Sequence, residues 1–145
     1  MSIHRRTLGR GRWVAAIASL VLLVACVLPW YTAGGGAGIP AVTGNAFEGA
    51  GIIVFLVSLA TLALVALPYA AGDVPIGIDR WQSFAVLAAA GVVAYIVRLV
   101  GLVTSPAGPG SLTPDRAPGL WLAGVALIAL SWAAFDLFTV RHGRR

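Results

Sequence analysis

The side chains of this chain that could do chemistry are few and lie far apart. Arg98 is the lone ionised residue of one long apolar run and Asp136 of another, while Glu48 and Arg80 stand just outside such runs. An ionised group inside an apolar span is costly, which makes it the default place to look for function. Arg98 lies five residues before the end of its run, so its Cα sits ~7–8 Å below that end at a helical rise of about 1.5 Å per residue. From that depth its guanidinium either snorkels to the headgroups or turns inward and holds a carboxylate. Glu48 lies at a matching depth before the preceding run and is the expected partner, with Asp115 second. Asp136, near the other end of the last run, is expected to meet Arg80 from the neighbouring turn or Arg141 from the tail. The two ions are thus expected near opposite faces, not paired with each other.

Other chemistries lack their parts. Cys26 is the only cysteine, which excludes an intrachain disulfide and leaves thiol-based metal binding without a second ligand. His4 and His142 fall in opposite tails with no other metal-ligand residues beside them. A proton relay needs a second buried acid or a histidine near mid-depth, and neither exists. An enzyme for lipid-linked substrates needs clustered His, Asp or Cys at one face. The Gly34-Gly35-Gly36 run is no phosphate loop, since no Gly-Lys-Ser/Thr follows it. No catalytic, cofactor-binding or metal residue is assigned, and the chain is expected to be no enzyme and to use no cofactor.

The elements that carry these residues are four apolar runs, 13–29, 49–71, 81–103 and 119–140. Each is about long enough to cross a hydrocarbon core of ~30 Å, and only a helix can do so as one segment, because the backbone finds no water to bond there. Apolar residues make up 59% of the 145-residue chain and charged ones 10%, far below the roughly 25% of soluble domains. The expected fold is all-α: a polytopic membrane protein built as one antiparallel four-transmembrane-helix bundle, a single membrane domain over 1–145. The gaps 30–48 and 104–118 are too short and too rich in Gly and Pro to bury a core. In the first, Thr32 to Gly38 with its Gly34-Gly35-Gly36 run reads as too flexible to be preorganised alone. The second, with Pro106, Pro109, Pro114 and Pro118, reads as extended and stiff. Thr113-Pro114-Asp115-Arg116 has the form of a turn with Pro at its second position, and Pro118 suits the first position of a helix.

Charge sets the expected orientation. Arg5, Arg6, Arg10 and Arg12 crowd tail 1–12, and Arg141, Arg144 and Arg145 crowd tail 141–145. Arginine in short flanks stays cytoplasmic. Both tails and the 72–80 turn are therefore expected inside and the two longer loops outside, in a multi-pass protein of the cell inner (plasma) membrane. The net charge of +5 is assigned to anionic lipid headgroups, which attract such tails at ~1 kcal/mol per residue. Nucleic acid is excluded as a partner, since no stacking aromatics or folded basic face accompany the charge. Trp13, Trp30, Tyr31, Trp81 and Trp121 stand at run ends, where rings anchor at the headgroup level.

Two targeting patterns are weighed and set aside. Arg5-Arg6 before Leu8 has a twin-arginine look, and Leu23-Val24-Ala25-Cys26 looks like a lipobox. The apolar run continues past Cys26 to Pro29-Trp30, with no polar mature start, so the first run is expected to stay a transmembrane helix. Small residues are plentiful: Ala85 and Ala89, Ala90 and Ala94 around Gly91, Gly124 with Ala126, Ala129 and Ala133, and Gly49-Ala50-Gly51. They let membrane helices approach closely and are more than one bundle needs, so a homo-oligomer or a larger membrane complex is expected.

Leu28-Pro29-Trp30-Tyr31 closing the first run, Tyr95-x-x-Arg98 late in the third and Gly119-Leu120-Trp121-Leu122 opening the fourth resemble small four-span membrane proteins of actinobacteria, an uncharacterised family. An all-Arg basic set without Lys fits a GC-rich genome. The resemblance implies the fold and no activity. The expected role is a non-enzymatic accessory subunit or scaffold packing against partner helices. The alternative is an oligomeric carrier or channel with Arg98 near its outer mouth.

Overall fold

The computed structural model describes residues 9–70 and 81–142; Arg80, the rest of the 72–80 turn and most of the basic tails lie outside the described residues, as do the side chains of Arg141 and His142. The four runs form helices α1 (Arg10–Val27), α2 (Gly51–Ala70), α3 (Trp81–Val103) and α4 (Pro118–His142). All four are long and apolar enough to cross a membrane, and the architecture is an all-α four-helix bundle.

Local chemistry explains where the helices stop and start. Pro29 disfavours helical backbone at the residue before it, and Leu28 is extended there (φ −70°, ψ 157°), so α1 ends two residues earlier than run 13–29. At its other end α1 starts at Arg10, taking Arg12 into the helix. Pro118 is the first residue of α4, where its fixed φ and missing N–H cost nothing.

The helices pack around a square, with α1 and α3 each touching both α2 and α4. Neighbours run antiparallel: Ala25, late in α1, and Leu28, just past its end, lie against Gly119 at the start of α4, and Trp81, first in α3, meets Phe138 late in α4. On α1 and α4 the inward rows are mostly alanine, with many branched residues outward. The buried rows are Ala15, Ala18, Leu22 and Ala25 on α1, and Ala123, Ala126, Leu130 and Ala133 on α4, while Ile17, Leu20, Val24, Val86, Val93 and Ile128 are exposed. This arrangement suits lipid, where helices associate through close packing and not through expulsion of apolar surface from water. On α3 the inward row is Phe84, Ala88, Gly91 and Ala94; Ala89 and Ala90 point outward. The paired alanines of the sequence therefore divide between faces. Gly91 leaves room for Leu127 of α4 and Val57 of α2.

Both loops at one end differ from expectation. Segment 30–48 is ordered by an antiparallel hairpin, β1 (Tyr31–Ala33) paired with β2 (Val42–Gly44), with Tyr31 opposite Gly44. The glycines shape its connection: Gly34, Gly35 and Gly38 hold φ near +80°, a region open to residues without a Cβ. Segment 104–118 is folded back, not extended. It contains a short 3-10 helix, Pro109–Leu112, and a turn closed by the Arg116 N–H donating to the Thr113 carbonyl at 2.9 Å. The two loops join where the Thr32 hydroxyl donates to the Arg116 carbonyl (2.7 Å) and Arg116 Nη1 donates to the Gly34 carbonyl (3.2 Å). This is the hairpin end of the bundle; the opposite is the tail end.

Candidate functional site

The polar cluster of the hairpin end is built from three elements. Tyr31 comes from β1, Glu48 from the turn that leads into α2, and Arg98 from the last turns of α3. Arg98 Nη2 lies 3.4 Å from Glu48 Oε2. The Tyr31 hydroxyl donates to the same oxygen at 3.0 Å, and the Arg98 guanidinium carbon sits 6.0 Å from the Tyr31 ring centre. Two glycines make the approach feasible. A Cβ at Gly44 would run into the Tyr31 ring and the Glu48 carboxylate, and Gly49, with φ +66°, lies against Arg98 Nη1.

The cluster is unevenly satisfied. The Arg98 side chain is 17% exposed and that of Glu48 52%. Arg98 Nε is buried without a hydrogen-bond acceptor. The Tyr31 hydroxyl is held above its usual titration range, first by donating to Glu48, then by burial and the carboxylate charge; Arg98 opposes. A carboxylate that accepts from a phenol and a guanidinium can fasten a hairpin to a helix. It offers no paired acid and base for proton transfer.

Sequence reasoning placed Arg98 with Glu48, and the structure brings these two together. Asp115, the second choice, is exposed on the turn before α4. Asp136 lies at the tail end, where its Oδ2 borders Gly11 of α1. Its expected partner Arg80 lies outside the described residues. Arg98 and Asp136 therefore occupy opposite ends of the bundle.

The aromatic residues divide. Trp13 and Trp121 are 55% and 54% exposed. Trp81 is half-buried, edge-on to Phe138 at 4.9 Å. Tyr31 belongs to the polar cluster. Trp30 departs from the anchor expectation: it is wholly buried, its Nε1 donates to the Ala25 carbonyl at 2.9 Å, and its ring meets Tyr95. Pro29 turns the chain back over the end of α1, which carries Trp30 inward. Cys26 is buried in α1 as well, and its carbonyl accepts the Ala46 N–H. Trp132 went unremarked in the sequence; it sits 5.5 Å from the Arg10 guanidinium carbon, four residues before Asp136. The hairpin was also missed, although Tyr-Thr and Val-Thr flanking a glycine-rich stretch was a signal for it.

Buried hydroxyls close on their own helices. Ser19 donates to Ala15 at 2.7 Å, Ser58 to Phe55 at 2.6 Å and Thr61 to Val57 at 2.8 Å. Among the described residues no cluster of His, Cys, Asp and Glu could hold a metal ion. On the outer side of α3 and α4 runs an apolar groove of about 630 Å³, with Ala85, Ala89 and Ala134 among its small residues and Trp81, Phe135 and Phe138 as its bulky ones. No family model, curated protein or solved structure matches this chain.

Proposed function

We propose that this chain is a small integral protein of the plasma membrane, tails inside and hairpin end outside, that serves as a non-enzymatic accessory subunit or scaffold for partner helices. The observation that carries the reading is the α3–α4 groove. Of the four apolar helices α3 is the least covered by its own bundle, with 22% of its apolar window buried. Small outward residues such as Ala85 and Ala89 lie on that helix, where a partner backbone can come close. The Arg98–Glu48–Tyr31 cluster then keeps the hairpin seated over the bundle, and anionic headgroups hold the basic tails. On this reading the chain joins the small four-span actinobacterial proteins that its Pro29-Trp30-Tyr31 and Gly119-Leu120-Trp121 segments resemble.

A carrier or channel is the competing reading, with Arg98 at its mouth. It needs polar groups free to meet a solute at mid-depth, whereas Ser19, Ser58 and Thr61 spend their hydroxyls on their own helices. The test is purification of the tagged chain from its native host in a gentle detergent, with mass spectrometry of what accompanies it. A stoichiometric partner that leaves when Ala89→Trp fills the groove, with folded abundance unchanged, is the expected result. A partner-free particle whose Arg98→Leu variant folds normally but loses solute flux would replace this reading with the carrier.

A further inference from the structure

We propose that Arg98 forms a binding site for the phosphate diester of a phospholipid headgroup, in the leaflet at the hairpin end, with Glu48 as the internal anion that competes for it. The argument starts from what the guanidinium has and what it lacks. Arginine carries five N–H donors in a fixed fork that matches two oxygens of a carboxylate or phosphate. Here the hydrogen bond to Glu48 Oε2, at 3.4 Å, is longer than the ~2.7–2.9 Å of a good charge-assisted contact. Nε is buried and unbonded, so the protein leaves the cation under-satisfied in a setting where that is costly.

The surroundings decide which anion completes it. Arg98 keeps 17% of its side chain exposed, and apolar residues at the same level are exposed too: Val97 and Val100 on α3 and Ile52 on α2. Gly101, one turn after Arg98, is exposed with open space where a Cβ would be. The exposed part of Arg98 thus lies at the level of outward-facing apolar residues, one to two turns below the end of α3 at Val103. Phospholipid phosphates lie at the top of that layer, within reach of a snorkelling arginine. The missing side chain at Gly101 leaves a notch beside it. Glu48 is half exposed and also held by Tyr31, so it can yield Nη2 to a phosphate oxygen without losing its other donor.

This site predicts opposite effects for the two members of one ion pair. The experiment is native mass spectrometry of the full chain released from detergent, titrated with phosphatidylglycerol, with phosphatidylcholine, with diacylglycerol of the same chains, and with inorganic phosphate. The wild type is expected to retain one molecule of either phospholipid and no diacylglycerol. Arg98→Leu loses the lipid, with affinity down roughly tenfold or more, as for the loss of a charge-assisted hydrogen bond. Glu48→Gln holds it more tightly, because the competing carboxylate charge is gone. Arg98→Lys keeps the charge and retains the lipid weakly, which covers the case in which Arg98→Leu does not fold. Lipid lost from Glu48→Gln as from Arg98→Leu would make the pair purely structural and overturn the proposal. So would equal retention of diacylglycerol, or a site filled by inorganic phosphate that phospholipid cannot displace.

Discussion

Trp30 and Tyr95 meet edge to face, their ring centres 5.9 Å apart and their planes at 67°. Each spends its polar atom on a backbone carbonyl: Trp30 Nε1 on Ala25 of α1, and the Tyr95 hydroxyl on Leu120 of α4 at 3.0 Å. Through this one ring pair the hairpin end ties α1, α3 and α4 together. It lies one turn from Arg98, so the geometry of the polar cluster depends on it.

Trp30→Ala should therefore be among the most damaging single substitutions, removing a buried ring worth ~3 kcal/mol or more. Tyr95→Phe removes only the bond to Leu120 and should cost about 1 kcal/mol, or less if the helices find other partners in the bilayer. Unfolding of the purified variants in mixed micelles checks the ranking. Equal losses would contradict the assigned roles.

Two glycines should respond in opposite directions to alanine. A Cβ at Gly119 would lie 2.6 Å from the Ala25 carbonyl oxygen and 2.7 Å from that of Leu28. Both are backbone atoms, so α1 and α4 must separate, at about 1–3 kcal/mol. At Gly101 a Cβ meets nothing within 4 Å, so alanine should be neutral or stabilise α3 by up to about 1 kcal/mol. Thermal stability of the two variants in one detergent decides this.

Tyr31 supplies a pH test. Its hydroxyl donates to Glu48, so the fold favours the protonated phenol and raises its titration above 10.0. The contribution is complete below the ordinary tyrosine value and is lost as pH climbs through the raised one. The tyrosinate absorbance of wild type minus Tyr31→Phe should have its midpoint above 10.0, moving down in Glu48→Ala. A midpoint that Glu48→Ala leaves in place would mean the hydrogen bond is not its main cause.

Cys26 is wholly buried in α1. A membrane-permeant maleimide should leave the folded protein unmodified and label it fully once it is denatured. Rapid labelling of the native protein would mean that the end of α1 opens.

Much of this protein could be read along one dimension. Hydropathy summed over a run, and the demand that each backbone group in lipid be bonded within its own segment, determine four helices long and apolar enough to cross a membrane among the described residues. Pro29 and Pro118 mark two of their ends by rules that act between neighbours in the chain. Even the partnership of Arg98 with Glu48 followed from depth alone, since both stand near the same ends of antiparallel neighbours. Direction around each helix is another matter. That Ala88 faces inward and Ala89 outward, that Asp136 borders Gly11, and that Trp30 is core while Trp121 is exposed depends on which helices stand beside which. Lipid-facing and bundle-facing positions are both apolar, so composition does not distinguish them. The hairpin arose the same way: its strands are short, and the pairing of Tyr31 with Gly44 holds because the ends of α1 and α2 bring them together over a packed bundle.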